Sequence, residues 1–151
     1  MSRLVGRKIV IVGGGPIGLA TAVHLGRQGL GSSAVVIERD ASYKYCSALL
    51  SAGGVRQQYS LKENIQMSTY SSDFISTYDL QQKSGSRFNA SDIGLKKNGY
   101  AFLASSEEQK KILLENHYTQ RSCGVDWIHV GGPAELSARY PWLNTYDLVY
   151  G

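Results

Sequence analysis

The sequence predicts an α/β fold that opens with a parallel β-α-β unit, and three observations carry that prediction. Residues 8–12 form a short run in which all four residues after Lys8 are apolar and β-branched, which is typical of a buried strand of a parallel sheet. From Pro16 apolar residues recur at helical spacing, and Gly29 and Gly31 follow the expected helix end. A second apolar run, residues 34–37, completes the unit, so we expect two parallel strands joined by a right-handed crossover.

Further elements are expected beyond a loop, residues 43–54, that is rich in Ser, Gly and Ala. They are a helix over 61–80, a turn-like stretch over 81–90, a hairpin over 92–104, a helix from Ser105 or Ser106 to Ser122, a strand over 125–130 and a short helix over 133–139. The hairpin depends on Asn98-Gly99, because this dipeptide between alternating apolar residues is a strong turn signal. An antiparallel element is thus predicted to follow the parallel one.

Bulk composition narrows the class of protein. The 151 residues suffice for one ordinary domain, and 42% hydrophobic with 19% charged residues describes a globular chain. The net charge of +4 comes from scattered basic residues, which do not form the basic face that nucleic acid requires. No apolar run approaches the roughly 20 residues of a membrane span, and no cleavable targeting peptide is expected. Cys46 and Cys123 lack a CxxC partner, so we expect reduced thiols and no metal site.

A glycine fingerprint lies between the first strand and the first helix. Gly13, Gly15 and Gly18 satisfy the pattern G-x-G-x-x-G, with Pro16 and Ile17 between the last two. The first glycine permits a tight turn, the second lets the backbone approach a pyrophosphate, and the third lets the helix sit close to the strands. Amides at the helix start then face the phosphates. The context, after a strand and before a helix, predicts a Rossmann-like dinucleotide site.

An acidic residue ends the second strand at the spacing this site requires. Glu38 lies 38 − 18 = 20 residues beyond Gly18, where a carboxylate accepts hydrogen bonds from a ribose. Its neighbour Arg39 could receive the 2′-phosphate of NADP, but the charge of Glu38 would repel that phosphate. A surface arginine is therefore the favoured interpretation of Arg39.

Longer motifs resemble one family of flavoenzymes. The segments 9–15 and 36–40 resemble those of the D-amino-acid oxidase and sarcosine oxidase family of FAD enzymes. The resemblance extends over residues 51–68, 99–104 and 141–145, and so over nearly the whole chain. Within the family it points to a mitochondrial branch linked to the assembly of respiratory complex I.

The resemblance implies a fold and an activity. An FAD-binding portion would span residues 1–90, and an antiparallel-sheet substrate domain would begin over 91–151. The implied reaction is oxidation of a small amine or amino acid by hydride transfer to FAD. The implied location is the mitochondrial matrix, with the cytoplasm as the alternative because no targeting peptide is expected. Family members run to several hundred residues, so the chain is expected to be an N-terminal fragment. The alternative is an assembly factor for complex I subunits in which FAD is structural; a third possibility, an NAD-binding domain, lacks the next β-α unit after Glu38.

The same resemblance extends the candidate site past the fingerprint. Amides over 47–54 would lie near the flavin end of FAD, unless this segment is only a flexible connection, and Arg56 would stabilise a reduced flavin, unless it is a surface arginine. The candidates for contact with FAD are Gly13, Gly15, Pro16, Ile17, Gly18, Glu38, Arg39, Ser47, Ser51, Gly53, Gly54, Val55 and Arg56. Relatives that bind flavin covalently have a histidine where this chain has Ser51, so non-covalent FAD is expected. Related N-methyl amino-acid oxidases have a second arginine at the position of Tyr59, which leaves the substrate and the catalytic residues open.

Overall fold

The computed structural model describes residues 8–77, 79–81, 87–89, 92 and 94–151. It divides the chain into two compact units, of which the first ends at Gly54 and the second begins at Val55. Each unit is described by itself below.

The first unit contains the predicted β-α-β arrangement. Strand β1 (Ile9–Val12) leads through helix α1 (Pro16–Arg27) and a 3₁₀ turn (Gly31–Ser33) to strand β2 (Ala34–Ile37). The strands pair in parallel, with Ile9 opposite Ala34 and the register kept to the strand ends. The parallel unit predicted from the apolar runs is therefore confirmed.

Helix α1 begins and ends where its sequence dictates. Pro16 occupies the first turn after an extended Gly15, and no side chain caps this end. At the other end Gly29 adopts a left-handed φ of +77°. The amide of Gly29 donates to the carbonyl of Gly26, and that of Leu30 to the carbonyl of Leu25. These two bonds form a Schellman motif, which requires a residue such as glycine at the left-handed position.

One face of the two-stranded sheet is exposed. Burial alternates along both strands, and Val10, Val12, Val35 and Ile37 are 44–85% exposed. The expectation of an interior strand is therefore not met, since the side chains on one face are half-buried and those on the other face are exposed. The reason is architectural, because a parallel sheet is covered on both faces only when helices pack on both, and in this unit α1 is the crossover helix.

In its described residues, the second unit contains three helices and an antiparallel strand pair. Helix α2 is followed by the strands β3 and β4, and these by the helices α3 and α4. Their bounds are Lys62–Thr77 for α2, Asp79–Gln81 for β3, Arg87–Asn89 for β4, Glu107–Ser122 for α3 and Pro133–Arg139 for α4. Helix α2 ends earlier than predicted, since residue 80 already belongs to β3. Helix α3 begins as predicted, with the Ser106 hydroxyl accepting the amide of Gln109.

The predicted hairpin over 92–104 does not form in the described residues. The antiparallel pair is instead β3 with β4, in a stretch expected to be turn-like, and Ile93 lies outside the described residues. Gly94 and Gly99 both have positive φ, at +68° and +79°, so only four residues separate two left-handed positions. Backbone in the left-handed region is not extended, so Gly94 interrupts the arm that was predicted to precede the turn. Residues 125–130, predicted as a strand, also form no ladder in the described structure.

Among the residues that the structure describes, the core of the second unit is small. Its buried members are Ile65 of α2, Leu136 of α4, Ala104 and Val125. Gln120 of α3 is also buried, and its side-chain amide donates to the carbonyl of Tyr59 at 3.0 Å. No helix in the described part of the chain is long and apolar enough to cross a membrane, and no cluster of potential metal ligands occurs among the same residues.

Candidate functional site

The glycine turn after β1 is fixed to the second strand. Gly13 has a φ of +99°, a backbone conformation that residues other than glycine rarely adopt. Its amide donates to the carbonyl of Ile37 at 2.8 Å, so the turn lies beside the end of β2. This arrangement explains why the fingerprint needs glycine at its first position.

Gly18 allows α1 to pass against the turn. A Cβ atom built at this position would lie 1.9 Å from the carbonyl oxygen of Gly13 and 3.3 Å from the Ile11 side chain. Real Cβ atoms do not approach other atoms so closely. The close packing of helix and strand expected from the third glycine is therefore present.

In contrast to Gly18, Gly15 has open space where a Cβ atom would lie. A Cβ atom at Gly15 would meet nothing within 4 Å, although the residue lines a pocket. Since residues 16–18 occupy the first turn and no side chain caps it, the amides of Ile17 and Gly18 have no intrahelical partner. These amides carry the positive end of the helix dipole, which attracts an anionic group.

Glu38 is joined to the same turn by its carboxylate. Its Oε2 atom accepts the amide of Gly14 at 2.6 Å, and its Oε1 atom accepts the amide of Asp40 at 2.9 Å. The bond from Asp40, and after it the bond from Gly14, hold the pKa of Glu38 below its ordinary value. The carboxylate is therefore ionised at neutral pH and accepts hydrogen bonds only. The amide of Arg39 adds a smaller contribution of the same sign to the pKa of Glu38, and since a carboxylate has roughly four lone-pair positions, acceptor capacity remains for a hydroxyl donor.

A pocket of about 590 Å³ lies against these groups. Eight of the predicted site residues line it: Gly13, Gly15, Pro16, Ile17, Gly18, Glu38, Arg39 and Ser47. The structure thus brings together the fingerprint, the acidic strand end and the start of the Ser/Gly-rich loop. Arg39 is exposed at the pocket wall.

The remaining predicted residues lie elsewhere. Ser51, Gly53 and Gly54 belong to the first unit but are not part of the pocket wall. There the Ser51 hydroxyl accepts the amide of Gly53 and donates to the carbonyl of Ala48. Val55 and Arg56 belong to the second unit.

Arg56 is held between aromatic rings of the second unit. Its guanidinium carbon lies 4.7 Å from the ring centre of Tyr59 and 5.4 Å from that of Phe102. Its carbonyl accepts the hydroxyl of Ser68 on α2. Cation–π contacts of this kind restrict where the guanidinium can point.

Reasoning from the sequence missed Gly14, which lies beside the pocket residue Glu38, and Tyr43, which lines the pocket itself. Gly14 was passed over as the variable position of the fingerprint, yet its amide binds Glu38. Tyr43 has a φ of +55°, and its hydroxyl lies 2.7 Å from where a Cβ of Gly14 would be. The pattern G-x-G-x-x-G includes the position of Gly14 but does not predict that its amide donates to Glu38. The sequence around Tyr43 carries no comparable signal. Tyr45 and Cys46 also line the pocket.

Comparison with known proteins gives the family. The family model described as FAD dependent oxidoreductase matches residues 8–151. FAD-dependent oxidoreductase domain-containing protein 1 of Xenopus laevis is 41% identical over 141 residues, which cover 91% of this chain and 28% of that protein. Its Bos taurus counterpart is 36% identical. The chain therefore spans little more than a quarter of the length of these relatives.

More distant similarities agree with the fold. The mitochondrial sarcosine dehydrogenase of Mus musculus is 28% identical over 143 residues, covering 95% of this chain and 14% of that enzyme. The crystal structure of L-proline dehydrogenase from P. horikoshii matches 95% of this chain and 35% of its own, with a TM-score of 0.64 and 22% identity. The chain thus shares the Rossmann-like fold of L-proline dehydrogenase. It belongs to the DAO family of FAD-dependent oxidoreductases.

Proposed function

We propose that this chain holds the ADP half of FAD in the pocket of its first unit. The observation that carries the proposal is the hydrogen bond from the Gly14 amide to the Glu38 carboxylate. This bond joins the group suited to a ribose to the turn suited to a pyrophosphate. A dinucleotide requires both at adjacent positions.

The residues of the pocket fit that half of the cofactor. The open space at Gly15 leaves room for a pyrophosphate, and the amides of Ile17 and Gly18 would donate to it. The ionised Glu38 would accept from the ribose hydroxyls with its open lone pairs. Its negative charge would disfavour a 2′-phosphate, so Arg39 is proposed to lie at the rim and not to select NADP.

FAD, when bound, supplies an acceptor for a hydride equivalent from the substrate. This chain is proposed to orient the cofactor at its nucleotide end and to hold it without a covalent bond, since Ser51 stands where relatives with covalent flavin have histidine. Ser47, Ser51, Gly53, Gly54 and Val55 are proposed to approach the cofactor beyond the pyrophosphate. Arg56, whose guanidinium is restrained by Tyr59 and Phe102, would bring a fixed positive charge to the reduced flavin.

The substrate class is proposed to be a small amine or amino acid. The support is the relationship to a sarcosine dehydrogenase. Tyr59 occupies the position of the second arginine of N-methyl amino-acid oxidases, and its ring already contacts Arg56. We therefore expect a substrate without a carboxylate bound at Tyr59.

The proposed location, partners and domain boundary rest on the resemblance to the D-amino-acid oxidase and sarcosine oxidase family. We propose a mitochondrial protein with respiratory complex I subunits or assembly factors as partners, and a domain boundary near residue 90 between the FAD-binding and substrate portions. The alternative is an assembly factor in which FAD is structural. Reduction of the flavin by N-methyl or D-amino acids in a longer form would favour the enzyme. Inert flavin with retained binding to complex I subunits would favour the assembly factor.

The cofactor assignment is tested by the visible spectrum of the purified chain before and after acid precipitation. Flavin absorbance that moves to the supernatant would support non-covalent FAD. Flavin that stays with the precipitate would contradict the role given to Ser51. A chain that remains colourless after incubation with excess FAD would contradict the claim that these residues suffice to hold it.

A further inference from the structure

The C-terminal end of α3 fixes the backbone of Gln120. The amide of Val125 donates to the Gln120 carbonyl at 3.1 Å, and the amide of Gly124 donates to the Arg121 carbonyl at 2.9 Å. With Gly124 at a φ of +83°, these two bonds form a Schellman motif. Val125, the last residue of the motif, is fully buried. The helix therefore ends at a defined place, and the Gln120 side chain starts from a fixed position.

The side chain of Gln120 is buried and makes a distant hydrogen bond. Gln120 is 5% exposed, and no other polar side chain among the described residues is buried. Its amide nitrogen donates at 3.0 Å to the carbonyl of Tyr59, which lies 61 residues earlier in the chain. A buried amide without such a bond would carry the full cost of desolvation. Since an apolar residue would fill the same space without that requirement, packing alone does not require glutamine here.

The segment that carries Arg56 is tied at both ends to different helices. The hydroxyl of Ser68 on α2 donates to the Arg56 carbonyl, and Gln120 on α3 donates to the Tyr59 carbonyl. Between these anchor points the Tyr59 amide donates to the Gln57 carbonyl at 3.0 Å, which is the bond of a three-residue turn. The two ends of the segment are therefore held at one separation by α2 and α3.

These two anchor points determine where the Tyr59 ring meets Arg56. The guanidinium carbon lies 4.7 Å from the Tyr59 ring centre and 5.4 Å from that of Phe102. Cation–π contacts are weak where solvent reaches them, and Arg56 is half-buried. Such a contact holds a long side chain only when the ring is already in place. Loss of the bond to the Tyr59 carbonyl would free the ring to move, while the Arg56 backbone would stay bonded to Ser68.

We propose that Gln120 is a positioning residue for Arg56. By holding the Tyr59 carbonyl, Gln120 keeps the Tyr59 ring against the guanidinium and so keeps the positive charge in one place. This inference rests on the proposed function in one respect, since a fixed charge matters if Arg56 stabilises a reduced flavin. It adds to the site a residue of α3 that acts through Tyr59 and lies outside the motifs identified in the sequence.

Proton NMR of the chain without cofactor tests the positioning itself. In the parent chain, the ring currents of Tyr59 and Phe102 should shift the Arg56 side-chain protons upfield of their usual resonances. Gln120→Met keeps the length of the side chain but removes the donor, so most of that upfield shift should be lost. Ser106→Ala is the matched control, because it also removes one hydrogen bond of α3, at the opposite end of the helix, and it should retain the shift.

A second substitution makes the result independent of how one side chain packs. Gln120→Leu also lacks the donor, and the same loss of the upfield shift is expected. An upfield shift retained in full by Gln120→Met or Gln120→Leu would overturn the proposal. An equal loss in Ser106→Ala would also overturn it, because the shift would then follow the stability of α3 and not the bond to Tyr59.

The consequence for the cofactor is tested by the midpoint potential of the flavin in the FAD-loaded chain. A fixed positive charge favours the reduced flavin, so Arg56→Met should lower the potential, and Gln120→Met should lower it by part of that amount. The double variant should have the potential of Arg56→Met, because Gln120 acts only through Arg56. A further decrease in the double variant would overturn the proposal.

The two measurements separate this inference from the proposed function. A chain that binds no FAD, or an Arg56→Met variant with the potential of the parent, would contradict the role proposed for the chain or for Arg56 at the flavin. The NMR measurement needs no cofactor, so the loss of the upfield shift in Gln120→Met would still support the positioning of Arg56 by Gln120.

Discussion

Replacing Gly18 by alanine should destabilise the first unit, and the structure gives the size of the effect. The added Cβ would lie 1.9 Å from the Gly13 carbonyl oxygen, so helix and turn must separate by at least 3.0 − 1.9 = 1.1 Å to restore an observed contact distance. The turn cannot yield easily, because the Gly13 amide is bonded to Ile37. Overpacking of this kind costs about 1–3 kcal/mol.

Gly26 provides a matched control on the same helix. A Cβ atom there meets nothing within 4 Å, and alanine in a helix interior is about 0.5–1 kcal/mol more favourable than glycine. Substitution by alanine should therefore lower the free energy of unfolding at Gly18 and raise it at Gly26. The expected difference in the free energy of unfolding is roughly 1.5–4 kcal/mol.

The assay must report on the first unit. Trp127 and Trp142 both lie in the second unit, so their fluorescence serves as an internal reference. Exchange of the amides of β1 and β2 measures opening of the first unit directly. Gly18→Ala should exchange faster than the parent chain and Gly26→Ala no faster. Equal protection in the two variants would refute the close packing inferred at Gly18.

Three further outcomes follow from the structure. Ser106→Ala removes the side-chain acceptor at the start of α3 and should lower the urea-unfolding free energy by about 1 kcal/mol; an unchanged tryptophan-monitored midpoint would contradict this. Gly14→Ala should destabilise the first unit, because the added Cβ would clash with the Tyr43 hydroxyl. Amide exchange in β1 and β2 should therefore become faster, and adding Tyr43→Phe should restore part of the lost protection. Because the folded pKa of Glu38 is depressed, its stabilising bonds are present above the ordinary glutamate pKa of about 4.3 and are lost as pH falls through the folded pKa. The free energy of unfolding of Glu38→Gln should therefore fall less steeply at acidic pH than that of the parent chain. An identical pH dependence in the two proteins would contradict the stabilising role given to the Glu38 carboxylate.

Much of the first unit could be predicted because its signals are local. The fingerprint, Pro16 and the apolar runs each specify a turn, a helix start or a strand within a few residues. The spacing from Gly18 to Glu38 then indicated that the two ends of the unit meet. What spacing could not give is the bond from Gly14 to Glu38, which depends on the three-dimensional path of the backbone.

The second unit was harder because its strands depend on distant partners. Asn98-Gly99 is a strong turn signal, but Gly94, with a φ of +68°, interrupts the extended backbone of one arm. Residues 125–130 have the composition of a strand, yet a strand forms only where another segment supplies its hydrogen bonds. The helices α3 and α4 were predicted well, since Ser106 and Pro133 mark their starts in the sequence itself.

The binding of FAD to the pocket of the first unit can be measured by isothermal titration calorimetry on the parent chain and on the variants Gly15→Ala and Gly26→Ala. Both added Cβ atoms meet open space, so neither substitution should disturb the fold, but only Gly15 lines the pocket. The parent chain and Gly26→Ala should bind FAD, and Gly15→Ala should bind it at least about ten-fold more weakly, because the added Cβ would occupy the place of the pyrophosphate. Equal affinity for all three would contradict the claim that this pocket holds the ADP half of FAD.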